Sequence, residues 1–261
     1  MTTVSDILQY LNTIAPPYMK AGDWDPIGLN CGHADAEVTT VLVALDPFSE
    51  AIEEAISVGA ALLLTHHPLL FESEFINDQN CQGQRALRLI ENQIAHICAH
   101  TNLDCVPGGV NDCLAATLGL EDVSIVDPIT TGDGISYGLL RMGSVHEQPI
   151  EQFLSHIKNK LHTDGLRYVG TKPVHCVAVG GGACGSELLR AYQAGCDTLV
   201  TADVKYNQFR DAYDLGMNLI DAGHFFTELP VCQYLVSQIQ SVFPNLKVIL
   251  SKTQTDPTKF Y

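Results

Sequence analysis

Three short stretches of this chain place histidines or carboxylates directly after apolar runs of strand type. Thr65-His66-His67-Pro68 follows Ala61–Leu64, His100-Thr101-Asn102-Leu103-Asp104 follows Ala95–Ala99, and Ala222-Gly223-His224 with Glu228 follows Asn218–Asp221. Ligands of open α/β sheets bind at the carboxyl ends of strands, so each stretch lies where chemistry usually sits. Neighbouring strand residues point to opposite faces. His66 and His67 can therefore share a site only if the chain leaves strand geometry, and Pro68 pushes His67 toward an extended conformation. Each stretch also has an ordinary reading: a surface His pair, a turn or capping Asp104, and a first-turn carboxylate in Glu228. Taken together they outweigh those readings. His66, His67, Asp104, His224 and Glu228 make three imidazoles and two carboxylates, a set suited to Zn, Mn or Fe and not to a thiolate structural zinc site. Five ligands exceed what one catalytic ion with open positions needs, and suit two ions sharing a bridging carboxylate.

The third stretch has two geometries. A spacing of four would put His224 and Glu228 on one helical face. Pro230 fits only a first turn, which would instead make Thr227 the N-cap, with His224 on the preceding loop. Weaker features surround these. Gly180-Gly181-Gly182-Ala183-Cys184-Gly185-Ser186 joins a strand to a helix; it could hold phosphate or allow tight packing, but is neither a Walker A sequence nor a full dinucleotide fingerprint. Gly108-Gly109 permits a tight turn, with Asn111 or Asp112 capping the next helix. Trp24 reads as a structural anchor in a compact turn and Cys105 as a buried thiol. Lys205 and Tyr206 could line a pocket.

The elements that must position these residues alternate. Thr3 and Asp6 form a capping box before a helix with Val4, Ile7, Leu8 and Leu11 on one face. Strands follow at Val41–Leu45, Ala61–Leu64 and Ala95–Ala99, separated by a helix capped by Ser49 and one over Arg85–Asn92; a further helix spans Asn111–Leu118. The pattern breaks near Asp127-Pro128 and Gly132-Asp133-Gly134, the candidate domain boundary. Beyond it come strands Tyr137–Met142, Val174–Val179, Thr198–Thr201, Asn218–Asp221 and Leu246–Leu250, with helices Ile150–Leu161, Glu187–Ala194 and Val231–Val242. This is an α/β pattern with largely parallel sheets.

Composition narrows the class. The chain has 261 residues, 46% of them apolar and 17% charged, enough for one large or two small folded domains. A formal charge of −16 opposes binding to nucleic acid or to anionic membrane. The nine cysteines are odd in number and show no C-x-x-C spacing, the opening residues carry no signal-peptide pattern, and no apolar run approaches membrane-span length. These features lead to the expectation of a cytoplasmic protein with reduced cysteines.

The segments Gly22–Leu29, Thr65–Pro68, His100–Asp104, Gly108–Asp112 and Asp221–His224 with Glu228, in that order over almost the whole chain, are similar to the Nif-three-like family, whose members are often named GTP cyclohydrolase I type 2 homologues. The resemblance implies two linked α/β domains, a toroidal homohexamer built as a trimer of dimers, and a dinuclear metal site in each subunit. It puts the family's ligands on His66, His67, Asp104, His224 and Glu228, with Glu228 as the bridge, and places His100 beside the metals as a supporting residue or proton carrier. It also implies a first domain of residues 1–126 plus 223–261, with 127–222 inserted as the second, in the short form of the family. The chain departs from the family at Pro26, where many relatives have Asn, and at Asn207, where His is common. The expected function is a dinuclear metal-dependent hydrolase of the GTP cyclohydrolase I type 2 kind, holding two divalent ions (Zn, Mn or Fe). Metal-activated water would attack C8 of GTP and His100 would carry the proton. The alternative is a metal-binding or metal-insertion protein without turnover. The expected partners are copies of the chain and a small molecule such as a nucleotide.

Overall fold

The computed structural model describes residues 1–71, 75–132 and 134–261, so Asp133 of the expected boundary lies outside the described residues. The chain forms two compact units, Met1–Leu103 with Cys232–Thr255, and Asp104–Val231 with Asp256–Tyr261. Among the described residues no helix is long and apolar enough to cross a membrane.

The first unit is built on a five-stranded sheet in the order Gly28–Cys31, Ala95–Cys98, Leu62–Thr65, Thr40–Ala44, Lys247–Leu250. All neighbours are parallel except the Gly28–Cys31 edge. Every residue of the three inner strands is buried, which is why they read as unbroken apolar runs. Ile52 and Ala55 of helix Ser49–Ser57, with Ala86 and Leu89 of helix Cys81–Glu91, share a core with Leu42 and Leu63. The Thr3–Asp6 capping box forms as expected, with Asp6 N donating to Thr3 Oγ1 at 3.2 Å and Thr3 N to Asp6 Oδ2 at 2.8 Å. Ser49 lies inside its helix, Phe48 being the N-cap. The next helix begins at Cys81, ahead of Arg85, because the Asn80 side chain accepts from Gly83 N at 2.6 Å. Ala44 pairs with Thr65 and Thr65 with Cys98. These three strands therefore end level, and Asp46, His66-His67 and His100 emerge at one edge.

The second unit has a six-stranded sheet in the order Glu121–Ile125, Arg141–Gln148, Val174–Val179, Thr198–Thr201, Asn218–Asp221, Arg167–Val169. Its central pairs are parallel. Successive residues feed opposite faces. Val177, Val179, Val200 and Ile220 pack with Phe153, Ile157, Leu114 and Leu118 on one side, while Ala178, Leu199 and Leu219 pack with Leu188, Ala191 and Ala212 on the other.

The units divide away from the expected boundaries. Strand Glu121–Ile125 pairs with Arg141–Gln148, and Leu114 and Leu118 share a core with Phe153, so the chain joins the second unit at Asp104 instead of residue 127. Asp104, His224 and Glu228, candidate ligands expected in the first domain, thus fall in the second unit. Strand Glu121–Ile125 was not expected, because an edge strand with four exposed residues has no apolar run to betray it. Helix Tyr206–Leu215, which buries only Ala212, was missed for the same reason.

Candidate metal centre

In the first unit His66, His67 and His100 converge, each offering one ligand atom within 4.8 Å of the others. Their ring centroids are 4.9 Å (His66–His67), 5.2 Å (His66–His100) and 5.6 Å (His67–His100) apart. Each ring is held from behind at Nδ1: His66 by Ala99 O at 2.8 Å, His67 by Asp46 Oδ1 at 2.7 Å and His100 by Asp25 Oδ1 at 2.8 Å. Carbonyl and carboxylate oxygens accept only, so Nδ1 donates in each, and Nε2 is the nitrogen presented to a ligand.

The turn carrying His66 and His67 is fixed from inside the sheet. His67 N donates to Leu45 O at 2.9 Å, and Thr65 Oγ1 donates to His67 O at 2.5 Å. That hydroxyl has one proton, so His96 Nε2, 2.7 Å away, donates to it. Burial pushes the His96 pKa down to about 3, and its ring is neutral. Asp25 is 3% exposed and accepts from His100 Nδ1, from Thr101 N at 3.1 Å and from Thr101 Oγ1. Burial pushes its carboxyl up, but the bonds from His100 and Thr101 prevail and hold it below the usual carboxylate range. The anchor of this turn is therefore Asp25. Trp24, expected in that role, is 59% exposed, with its ring edge-on to His100 at a centroid distance of 6.3 Å.

In the second unit Val179 pairs with Val200, and Thr201 with Asp221, so the glycine-rich turn, Asp203 and His224 leave the sheet at one edge. Gly223 (φ 85°) leads into helix His224–Glu228. The one-face geometry holds: His224 Nε2 lies 3.1 Å from Glu228 Oε2. Thr227 is in the helix, not its N-cap. Asp203 Oδ2 holds His224 Nδ1 at 2.7 Å. In the glycine-rich turn Gly180 N donates to Val200 O, Gly181 N to Asn111 Oδ1, Gly182 N to Thr227 Oγ1 and Cys184 N to Thr201 Oγ1. These four amides serve packing, not phosphate. Gly182 has φ 62°, and a Cβ there would overlap Glu228 Oε1 and sit 3.0 Å from His224 Nε2; glycine at this position makes the space in which the two side chains meet. Asn111 Nδ2 donates to Asp104 O at 3.1 Å. Buried Arg141 donates to Val106 O at 2.9 Å and pairs with Asp112 at 2.7 Å.

The donors are nitrogen and oxygen. Burial, then the charge of Asp104, pushes the Cys105 thiol up to about 12. Burial, then Asp104 and Glu228, pushes Cys184 well up. Both thiols stay protonated at neutral pH and are poor ligands. The His/Glu donor set, with Nδ1 of each histidine held by an oxygen, fits a divalent cation.

The family model for Duf34/NIF3 (NGG1p interacting factor 3) matches residues 2–257. The chain belongs to this family. A Clostridium perfringens relative named GTP cyclohydrolase 1 type 2 homolog is 33% identical, over 98% of this chain and 99% of its own. The crystal structure of a Bacillus cereus protein related to NIF3 superposes with a TM-score of 0.92 at 25% identity, covering 100% of this chain and 99% of that one. A Staphylococcus aureus protein of solved structure gives a TM-score of 0.91 at 29% identity, covering 100% and 99%. The α/β architecture of this Duf34/NIF3 chain is therefore that of the family.

Three oxygen anchors in this Duf34/NIF3 protein escaped the sequence reading: Asp25, Asp46 and Asp203. Two of them carried a usable signal. Asp46 follows strand Thr40–Ala44 and Asp203 follows strand Thr198–Thr201, the same position after a strand that singled out His66 and His100.

Proposed function

We propose that this chain is a dinuclear metal-dependent hydrolase acting on a purine nucleotide such as GTP. His66, His67, Asp104, His224 and Glu228 would hold two divalent ions per subunit, Zn, Mn or Fe, with Glu228 as the bridge. One observation supports the reading above others: His66, His67, His100 and His224 all donate Nδ1 to a protein oxygen at 2.7–2.8 Å, the arrangement that orients ligating imidazoles. Bound there, the ions supply Lewis acidity and bring the ionisation of water toward neutral pH. His100 serves as the proton carrier. Its Nδ1 stays on Asp25, Nε2 gains or gives the proton, and the Asp25 carboxylate steadies the imidazolium. The name shared by relatives such as the Clostridium perfringens protein directs the substrate choice to GTP. The hexameric ring is a separate proposal, checked by sedimentation.

The deciding measurement is metal per subunit by elemental mass spectrometry, alongside hydrolysis of a nucleotide panel. Wild type is expected to hold about two ions, and His66→Ala and Glu228→Gln to lose at least one ion together with hydrolysis. Unchanged metal in both variants sinks the assignment. Full metal with no hydrolysis of any nucleotide turns the reading to metal handling.

A further inference from the structure

Two large aromatic side chains stand open beside His100. Trp24 is 59% and Phe71 52% exposed. Both rings meet the imidazole edge-on, at 79° and 6.3 Å for Trp24 and at 80° and 5.7 Å for Phe71. Leaving so much aromatic surface in water forgoes burial energy, and such patches mark binding sites when they border functional groups.

The indole is held by a built turn. Asp25 N donates to Gly22 O at 3.2 Å, and a Cβ on Gly22 would lie 2.6 Å from Trp24 Nε1. The missing side chain of Gly22 is what lets the indole fold over the turn. The next residue, Asp25, is the buried anchor of His100. One turn thus sets both the proton carrier and the exposed aromatic ring.

We propose that Trp24 and Phe71 form a stacking subsite beside His100 for the purine base of the substrate. The proposal rests on the nucleotide-hydrolase reading. It places the ring to be opened next to the residue that exchanges its proton, and π-faces accept any base without hydrogen-bond readout.

Trp24 is the chain's single tryptophan, so its emission reports this site alone. Guanosine, GTP and tripolyphosphate are titrated into the Zn-loaded protein and into the chelator-treated protein. Guanosine and GTP are expected to quench the emission and to shield it from acrylamide in both states, and tripolyphosphate to do neither. By equilibrium dialysis, Trp24→Leu is expected to bind labelled guanosine roughly five-fold or more weakly. Gly22→Ala, which displaces the indole without removing it, shifts affinity the same way, and both variants keep wild-type metal content. Unchanged emission with guanosine, equal guanosine affinity in Trp24→Leu, or a Trp24 already shielded from acrylamide in the nucleotide-free protein overturns the subsite. A silent Trp24 with normal loss of metal in His66→Ala and Glu228→Gln overturns the subsite alone; quenching by guanosine with unchanged metal in both of those variants overturns the metal assignment and spares the subsite.

Discussion

In the first unit three parallel strands end level and deliver His66-His67, His100 and the anchor Asp46. In the second, three parallel strands end level and deliver a glycine-rich turn, Asp203 and the start of helix His224–Glu228. The first unit places its donors on the turns that leave the strands, where backbone bonds such as His67 N to Leu45 O set the geometry. The second places two donors a helical turn apart and needs room for them, which Gly182 provides. One edge depends on hydrogen bonds and the other on empty space, so the two should respond to different substitutions.

Three substitutions test that contrast, and a fourth sets the stability of the second unit beside them. The largest effect is expected at Asp112, whose carboxylate pairs with buried Arg141. Asp112→Ala strands that charge and is expected to destabilise the protein by about 3–5 kcal/mol, read from the midpoint of chemical denaturation; a change near zero would show that the carbonyls of Gly138 and Val106 alone satisfy Arg141. Next is Gly182→Ala, which fills the space used by Glu228 and imposes a left-handed φ on alanine. Its metal affinity should fall by at least roughly 100-fold, and wild-type affinity would break the idea that space governs the second unit. Loss of a single anchor should cost less. Asp46→Asn and Asp203→Asn are each expected to weaken metal binding by roughly 10- to 100-fold, in competition titrations with a chelating dye. A larger loss for Asp46 sharpens the contrast, since hydrogen bonds are the first unit's means of support.

The last effect concerns pH and is small near neutrality, growing only as the solution is acidified. His96 stays neutral in the fold, with a pKa of about 3 against 6.5 when unfolded. Between those values the unfolded chain binds more protons, so stability falls as pH drops from 6.5 toward 3, by at most about 1.4 kcal/mol per pH unit from this group. In His96→Asn that slope is expected to flatten. An identical pH dependence in the variant would show that other groups set the acid limb.

The strand ends that carry the candidate site residues were more legible than the boundaries of the units. The placement of His66, His67, His100 and His224 after strands could be read because apolar runs announce buried parallel strands. Asp25 was missed because its turn has no strand before it to mark the position; its role comes from the three-dimensional approach of His100 and Thr101. Trp24 was misjudged because a lone tryptophan in a compact turn usually packs inward, whereas here the carboxylate beside it is buried instead. The glycine-rich turn suggested phosphate, since sequence cannot tell an amide pointing outward from one spent on Asn111 or Thr227. The junction at Asp104 was hidden because a polar edge strand, Glu121–Ile125, ties the preceding helix to the second sheet.

The first unit is made of Met1–Leu103 and of Cys232–Thr255, and strand Lys247–Leu250 completes its sheet beside Thr40–Val43. On the ribosome its three histidines are therefore made early, yet the sheet that aligns them lacks an edge until nearly the whole chain has emerged. Until then that edge is open to other strands, while all but the last few residues of the second unit are already available to fold. A nascent chain stalled after residue 231 would show the second unit protected from protease and the first unit cut.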